Sequence, residues 1–273
     1  MPSTHAAYRL PHRTETGAWH MAADLALLEW VSRGSDRLVF RTYAWDRPTL
    51  SLGRSEPYPT GWDERALARE GIAVVRRPTG GSAVLHEEEV TFAVAATIPG
   101  PWILSPRGFA NLVAEALSDA LRSCGVAGSR VQGTTPRPAF PGGGSGALCF
   151  ARSAPGEVQA GGYKVAGLAS RFGRTGAICH ASVPLTARSR AIAAFRPEGD
   201  GEATELERHA RSVGELLGLD HGEATARTAR LAAEVADRLA EAVSARFGVP
   251  LLDATFARLG IDVEPALAPA RSG

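Results

Sequence analysis

The stretch Arg76 to His86, Arg-Arg-Pro-Thr-Gly-Gly-Ser-Ala-Val-Leu-His, sets two arginines, two adjacent glycines and a histidine between strand-like runs at Ile72 to Val75 and Thr91 to Ala96. Glycine lets backbone approach a ligand closely, because it has no side chain and tolerates positive φ. Arg76 and Arg77 could hold carboxylate or phosphate oxygens in a planar fork. With Thr79, Gly80, Gly81 and Ser82 at its tip, the segment has the composition of a small-molecule cradle; an ordinary Gly-Gly hairpin with solvated arginines has the same spacing. Lys164 stands in an apolar and glycine-rich run, YKVAGLAS, just after Gly161-Gly162. Its ammonium either snorkels at a sheet edge or faces a ligand. Gly53-Arg54-Ser55 ends a strand-like run and reads as a pocket wall or as a plain turn. The three cysteines, Cys124, Cys149 and Cys179, are an odd number without paired metal spacing. That argues against a disulfide framework or a zinc site and leaves each a small hydrophobe or a reactive thiol.

These groups need a scaffold. Trp19 to Ser32 reads as a helix with Met21, Leu25 and Leu28 on one face, and Leu38 to Tyr43 and Thr49 to Leu52 read as strands around the turn signal Asp46-Arg47-Pro48. A short helix is expected over Trp62 to Gly71. After the cradle, Glu87-Glu88-Glu89 reads as a solvated turn. Pro106 to Cys124 carries the stripe Phe109, Val113, Leu117, Leu121 behind a Ser105-Pro106 start. Gly128 to Gly146, with six glycines and three prolines, reads as a mobile loop. Short strands are expected at Glu157 to Ala160, Tyr163 to Ala169 and Ala177 to Pro184, and helices at Ala203 to Leu217, Glu223 to Phe247 and Leu251 to Leu259. Strands in the middle and helices at the ends predict an α+β domain with a mixed or antiparallel sheet.

At 273 residues, 44% hydrophobic and 22% charged, the chain has the composition of a globular protein with ample length for a core. A net charge of +1 gives no electrostatic case for nucleic acid as a partner. The polar start, Met1 to Thr16, lacks the apolar run of a signal peptide, and no stretch approaches a membrane span, so a cytoplasmic protein is expected.

The cradle closely resembles the signature hairpin of the family of lipoate protein ligases, octanoyltransferases and, more distantly, biotin protein ligases. Further blocks agree in order: Met21 to Leu28 (MAADLALL), Pro48 to Arg54 (PTLSLGR), Glu89 to Val94 (EVTFAV), Gly162 to Ala169 (GYKVAGLA) and His180 to Leu185 (HASVPL). The resemblance spans roughly residues 18 to 250, placing residues 1–17 as a flexible segment and 251–273 as a tail. It implies a class II synthetase and biotin synthetase-like domain that attaches an octanoyl or lipoyl group to a lysine of a lipoyl domain. Arg54, Arg76, Arg77, Thr79 to Ser82, His86, Gly167 and His180 fall in the matched blocks as acyl- or substrate-binding candidates. His86 could serve as a base or order the hairpin, and His180 matches a family histidine for which a structural role is expected. No metal ligand set is expected.

Two branches of the family differ in how the acyl group is activated. The single-domain octanoyltransferases pass it from a carrier thioester through their own cysteine, which precedes phenylalanine before the lysine motif. Cys149-Phe150 stands in that place, so the resemblance implies Cys149 as nucleophile and Lys164 as the cation at the reacting carbonyl. Acyl carrier protein, or a glycine-cleavage-type carrier, would be the donor, and no cofactor would be needed. The ligase branch uses ATP and magnesium to form an acyl-adenylate, with Arg76, Arg77 and Lys164 on phosphate and carboxyl oxygens. A non-catalytic acyl- or carrier-binding homologue is a third possibility. Ser82, Leu168, Ser170 and Ala181 depart from the family pattern and bear on acyl-chain specificity.

Overall fold

The computed structural model describes residues 6–101, 105–133, 150, 156–197 and 199–267. In chain order the elements are β1 (Ala6–Glu15), α1 (Gly17–Ser32), β2 (Arg37–Trp45), β3 (Thr49–Leu52), α2 (Glu64–Arg69), β4 (Ala73–Arg76), β5 (Val84–His86), β6 (Glu89–Thr97), α3 (Pro106–Ser123) and β7 (Arg130–Val131). They continue with β8 (Val158–Ala160), β9 (Tyr163–Lys164), β10 (Gly167–Phe172), β11 (Gly176–Pro184), a 3-10 helix (Ala187–Phe195), α4 (Gly199–His209), α5 (Val213–Leu216), α6 (His221–Phe247), β12 (Leu252–Asp253) and α7 (Glu264–Leu267).

A six-stranded mixed sheet ordered β10-β11-β6-β2-β1-β12 forms the centre. Alternation along its strands sorts side chains to two faces. Leu38 and Phe40 of β2, Phe92 and Val94 of β6, and Ala177, Cys179 and Ala181 of β11 pack against α3 and α6. The intervening residues Val39, Tyr43, Ala93, Ala95 and Ile178 pack against α1. The expected stripes are buried: Phe109, Val113, Leu117 and Leu121 of α3, and Leu231, Val235, Leu239, Val243 and Phe247 of α6. Each such side chain contributes roughly 1.5–3 kcal/mol of burial. Ser105 caps α3 by accepting from Gly108 N, and Asp220 and Glu223 form a capping box at the start of α6.

Two small three-stranded sheets carry the segments of chemical interest. One is ordered β4-β3-β5 and presents the cradle; the other is ordered β7-β8-β9 and presents Lys164. Among the described residues no helix is long and apolar enough to cross a membrane.

Several local expectations are corrected. Residues 6 to 15 are not a flexible segment: they form β1, which lies parallel to β2. The C-terminal segment is not a tail, because Leu252 and Asp253 pair with β1, and Ala254, Phe256, Ile261 and Val263 are buried against α1. No helix forms over 251 to 259. The expected strand from Tyr163 to Ala169 breaks at Val165-Ala166 into strands of different sheets, and the expected helix from Ala203 breaks before the Ser212 cap of α5. Arg130–Val131 in the expected loop pairs with β8; the stretch 134 to 149, with Cys149, lies outside the described residues.

Candidate functional site

The cradle is built around β3. β4 lies parallel to it on one side and β5 antiparallel on the other, so the loop joining them must pass over the end of β3. Gly53 stands there, and a Cβ on it would lie 1.8 Å from the carbonyl oxygen of Gly81. Only glycine permits that approach, and Gly81 itself has φ +92°. Arg77 is 5% exposed and donates to the carbonyl oxygens of Ser51 at 2.8 Å, Gly80 at 2.9 Å and Ser82 at 2.7 Å. Arg76 donates to those of Gly53 and Glu56, both at 2.8 Å. Arg77 thus ties the hairpin backbone to β3, and Arg76 holds the segment that follows β3. Arg54 exposes its side chain, while its N–H donates to the Thr79 carbonyl at 2.9 Å.

Beneath the hairpin runs a buried polar chain. Asp24 of α1 accepts from Arg41 of β2 at 2.5 Å and from His180 Nδ1 at 2.9 Å, and His180 Nε2 meets Thr79 Oγ1 at 2.7 Å. Burial by itself would raise the Asp24 carboxyl, but the Arg41 guanidinium and the His180 hydrogen bond hold it below its usual range. Burial pushes His180 down in spite of Asp24. The consistent arrangement is an ionised Asp24 beside a neutral His180 that donates from Nδ1, leaving Nε2 to accept the Thr79 hydroxyl. Arg41 also donates to the His20 carbonyl at 2.9 Å and lies over the Tyr43 ring.

A second chain starts at Glu89 of β6. Its Oε1 accepts from His86 Nδ1 at 2.7 Å, its Oε2 from the Ser182 hydroxyl, and His86 Nε2 meets Ser51 Oγ at 2.7 Å. The Trp45 indole stacks on His86 at 4.0 Å between ring centroids and donates to Thr91 at 2.9 Å. Burial would raise the Glu89 carboxyl, yet His86, Ser182 and Thr91 together lower it. The Glu87-Glu88-Glu89 run is therefore not a solvated turn: Glu89 opens β6 and points inward, 5% exposed.

Between the two chains lies a narrow pocket of about 30 Å³ with a mostly apolar wall that includes Met21, Val84, Leu168 and Ala181, and polar points at Ser51, Arg77, His86 and His180. Gly167 lines it as well. Pockets lined mainly by apolar groups with a few convergent polar atoms suit small organic ligands. Thr79, Gly80, Gly81 and Ser82 form its covering hairpin rather than its wall. Leu168 and Ala181, two of the positions that depart from the family pattern, are in the wall.

Lys164 does not line this pocket. Gly161 and Gly162, at φ +58° and +86°, make the two-residue turn that sends β9 back along β8. Lys164 is thereby buried, with Nζ 2.5 Å from Glu157 Oε1 and 5.3 Å from the centre of the Phe150 ring. A buried ammonium beside one carboxylate is well placed to stabilise a developing negative charge nearby. Among the described residues no cluster of three or more His, Cys, Asp or Glu could hold a metal ion.

Asp24, Arg41, Glu89 and Ser51 were not singled out by spacing. A signal existed for the first two: a lone carboxylate in MAADLALL and a lone guanidinium in LVFRTY each sit in apolar elements. A buried charge requires a partner, and alternation puts Arg41 on the same face as Val39 and Tyr43, toward α1.

The family described as the lipoyl protein ligase A/B catalytic domain matches residues 16–234. Octanoyltransferase LipM of Kyrpidia tusciae is 34% identical over 254 residues, 88% of each chain. Octanoyltransferase LipM of Carboxydothermus hydrogenoformans is 34% identical over 161 residues, 59% of this chain and 58% of that one. Lipoate-protein ligase A bound with ATP shares the fold with a TM-score of 0.73 at 18% identity, over 97% of this chain and 93% of that one. A bi-partite lipoate protein ligase from Thermoplasma acidophilum, described with its E2 lipoyl domain, gives 0.70 at 17%, over 97% and 91%.

Proposed function

The chain belongs to the lipoyl protein ligase A/B catalytic domain family, and from that premise we propose that it is an octanoyltransferase of protein lipoylation. It moves an octanoyl group from a carrier-protein thioester to a lysine of a lipoyl domain. The observation that carries this is the likeness to an octanoyltransferase along most of both chains. The mostly apolar lining of the narrow pocket beneath the glycine hairpin is suited to the acyl chain.

In the proposed reaction the Cys149 thiolate attacks the acyl carbonyl, and the carrier's sulfur leaves and takes up a proton. The amine of the acceptor lysine then attacks the Cys149 thioester; an amide forms and its proton passes to the departing sulfur. Each step builds an oxyanion, which the Lys164 ammonium stabilises. Support for pairing these two groups comes from Phe150, the chain neighbour of Cys149, whose ring lies 5.3 Å from Lys164 Nζ. Because the donor is already activated, neither ATP nor a metal ion is required.

The test is octanoylation of a lipoyl domain, run in parallel with octanoyl acyl carrier protein alone and with ATP, magnesium and free octanoate. The expected result is transfer from the thioester without ATP, through an enzyme adduct of one octanoyl mass that hydroxylamine removes and Cys149→Ala abolishes. Transfer undiminished in Cys149→Ala would refute the covalent route, and labelling only in the ATP arm would make the protein a ligase.

A further inference from the structure

A pocket for the acyl chain accounts for only part of a thioester donor. The arm that bears the sulfur must leave the reacting carbonyl by another route. An open groove of about 530 Å³ runs between α3, β7 and β10, and it shares two residues with the acyl pocket, Leu168 and Ala169. Its wall also contains Glu157, the carboxylate paired with Lys164. The strand β10 therefore has the acyl pocket against one part of its surface and the groove against another, and the groove reaches the ion pair that holds the proposed oxyanion-stabilising ammonium.

Resting on the octanoyl-transfer function proposed above, we infer that this groove binds the pantetheine arm of the acyl donor. Such an arm is a chain of two secondary amides with a hydroxyl and a geminal dimethyl group, ending in a phosphate where it joins its carrier. The groove offers matching chemistry. Asn111 and Gln132 carry carboxamides, which can donate to and accept from an amide; Gln132 Oε1 also accepts from Gln159 at 2.7 Å, and Val131 beside Gln132 offers apolar contact for the dimethyl group. Arg107 lies one turn before Asn111 on the same face of α3, and its guanidinium suits a phosphate. Glu115, which continues that face and would repel a phosphate, is engaged by Arg246 at 2.8 Å.

The test measures binding and turnover separately. Arg107 and Asn111 are exposed, so Arg107→Ala and Asn111→Leu leave the core untouched. Calorimetry with 4′-phosphopantetheine should show saturable binding to the full chain, weakened at least fivefold in each variant. In transfer assays the KM for octanoyl-4′-phosphopantetheine should rise at least fivefold in both, while that for octanoyl-N-acetylcysteamine, which lacks most of the arm, stays within twofold. Absence of saturable binding, or equal effects on both thioesters, overturns the inference. If 4′-phosphopantetheine binds as expected but no thioester supports transfer, the transfer function fails and the groove assignment stands.

Discussion

Thr79 and His180 are 101 residues apart in the chain, yet Thr79 Oγ1 lies 2.7 Å from His180 Nε2. Through this contact the glycine hairpin is tied to the central sheet, and through Asp24 to α1. His180→Ala leaves both the Thr79 hydroxyl and one Asp24 oxygen buried without their partner, at a cost of about 1–3 kcal/mol. Asp24→Ala leaves the Arg41 guanidinium, 2% exposed, without a counter-ion and should cost about 3–5 kcal/mol. Urea unfolding of the two variants should rank them in that order.

Gly53 leaves no room for a side chain where β3 meets the cradle. In Gly53→Ala the new methyl would meet backbone rather than a flexible side chain, since the nearest atom is the Gly81 carbonyl oxygen at 1.8 Å. The hairpin must move to admit it. A loss of about tenfold or more in octanoyl transfer is expected, because small misplacements of a site are costly. Gly71→Ala is the comparison, since no atom lies within 4 Å of its added Cβ; its φ of +67° costs only local backbone strain remote from the cradle.

The pairing of Lys164 with Glu157 makes a separable prediction about rate. Lys164→Met keeps the bulk of the side chain and removes the charge, so kcat should fall by about 10²–10³, the usual effect of deleting an oxyanion-stabilising donor. Glu157→Gln retains the ammonium and should lose far less. Single-turnover transfer from octanoyl acyl carrier protein distinguishes the two; equal losses would show that Lys164 acts only through the fold.

Acid should destabilise the protein in two stages. His20 is pushed from 6.5 down to about 3 by burial and by Arg41, and burial lowers His180 as well. Below pH 6.5 the unfolded chain takes up protons that these buried rings refuse. Their contribution is therefore complete above 6.5 and is lost as pH falls toward their folded values. Asp24 and Glu89, held below 3.8 and 4.5 despite burial, add a further loss as pH falls through their own lowered range. Thermal unfolding followed from pH 8 to 3 should show a level Tm that declines below about 6.5 and more steeply below about 4.5. His20→Asn should flatten the upper part of that decline.

Local pattern determined much of this protein. The stripes of α3 and α6, the alternation of β2, and the Gly161-Gly162 turn are set by side-chain period and by backbone sterics within a few residues. The cradle and the blocks that accompany it were legible for the same reason, since Gly53 serves a close backbone approach and Gly81 a positive φ that side chains resist.

Tertiary structure decided the rest, because strand order and charge pairing are non-local. Residues 6 to 15 looked like a loose polar start: β1 buries Ala7 and Leu10 in the core among side chains that are mostly half-buried or exposed, and its pairing with β2 shifts register between Leu10 and Arg13, around Pro11. Glu89 looked solvated until β6 was placed between β2 and β11, which sets it against His86 and Ser182. Arg76 and Arg77 read in the sequence as grips for an anion; only the fold shows that each also has a backbone carbonyl oxygen within 3 Å, Gly53 for Arg76 and Ser51 for Arg77. A charged side chain carries its need for a partner in the sequence; which partner meets that need is settled only when the sheets close around it.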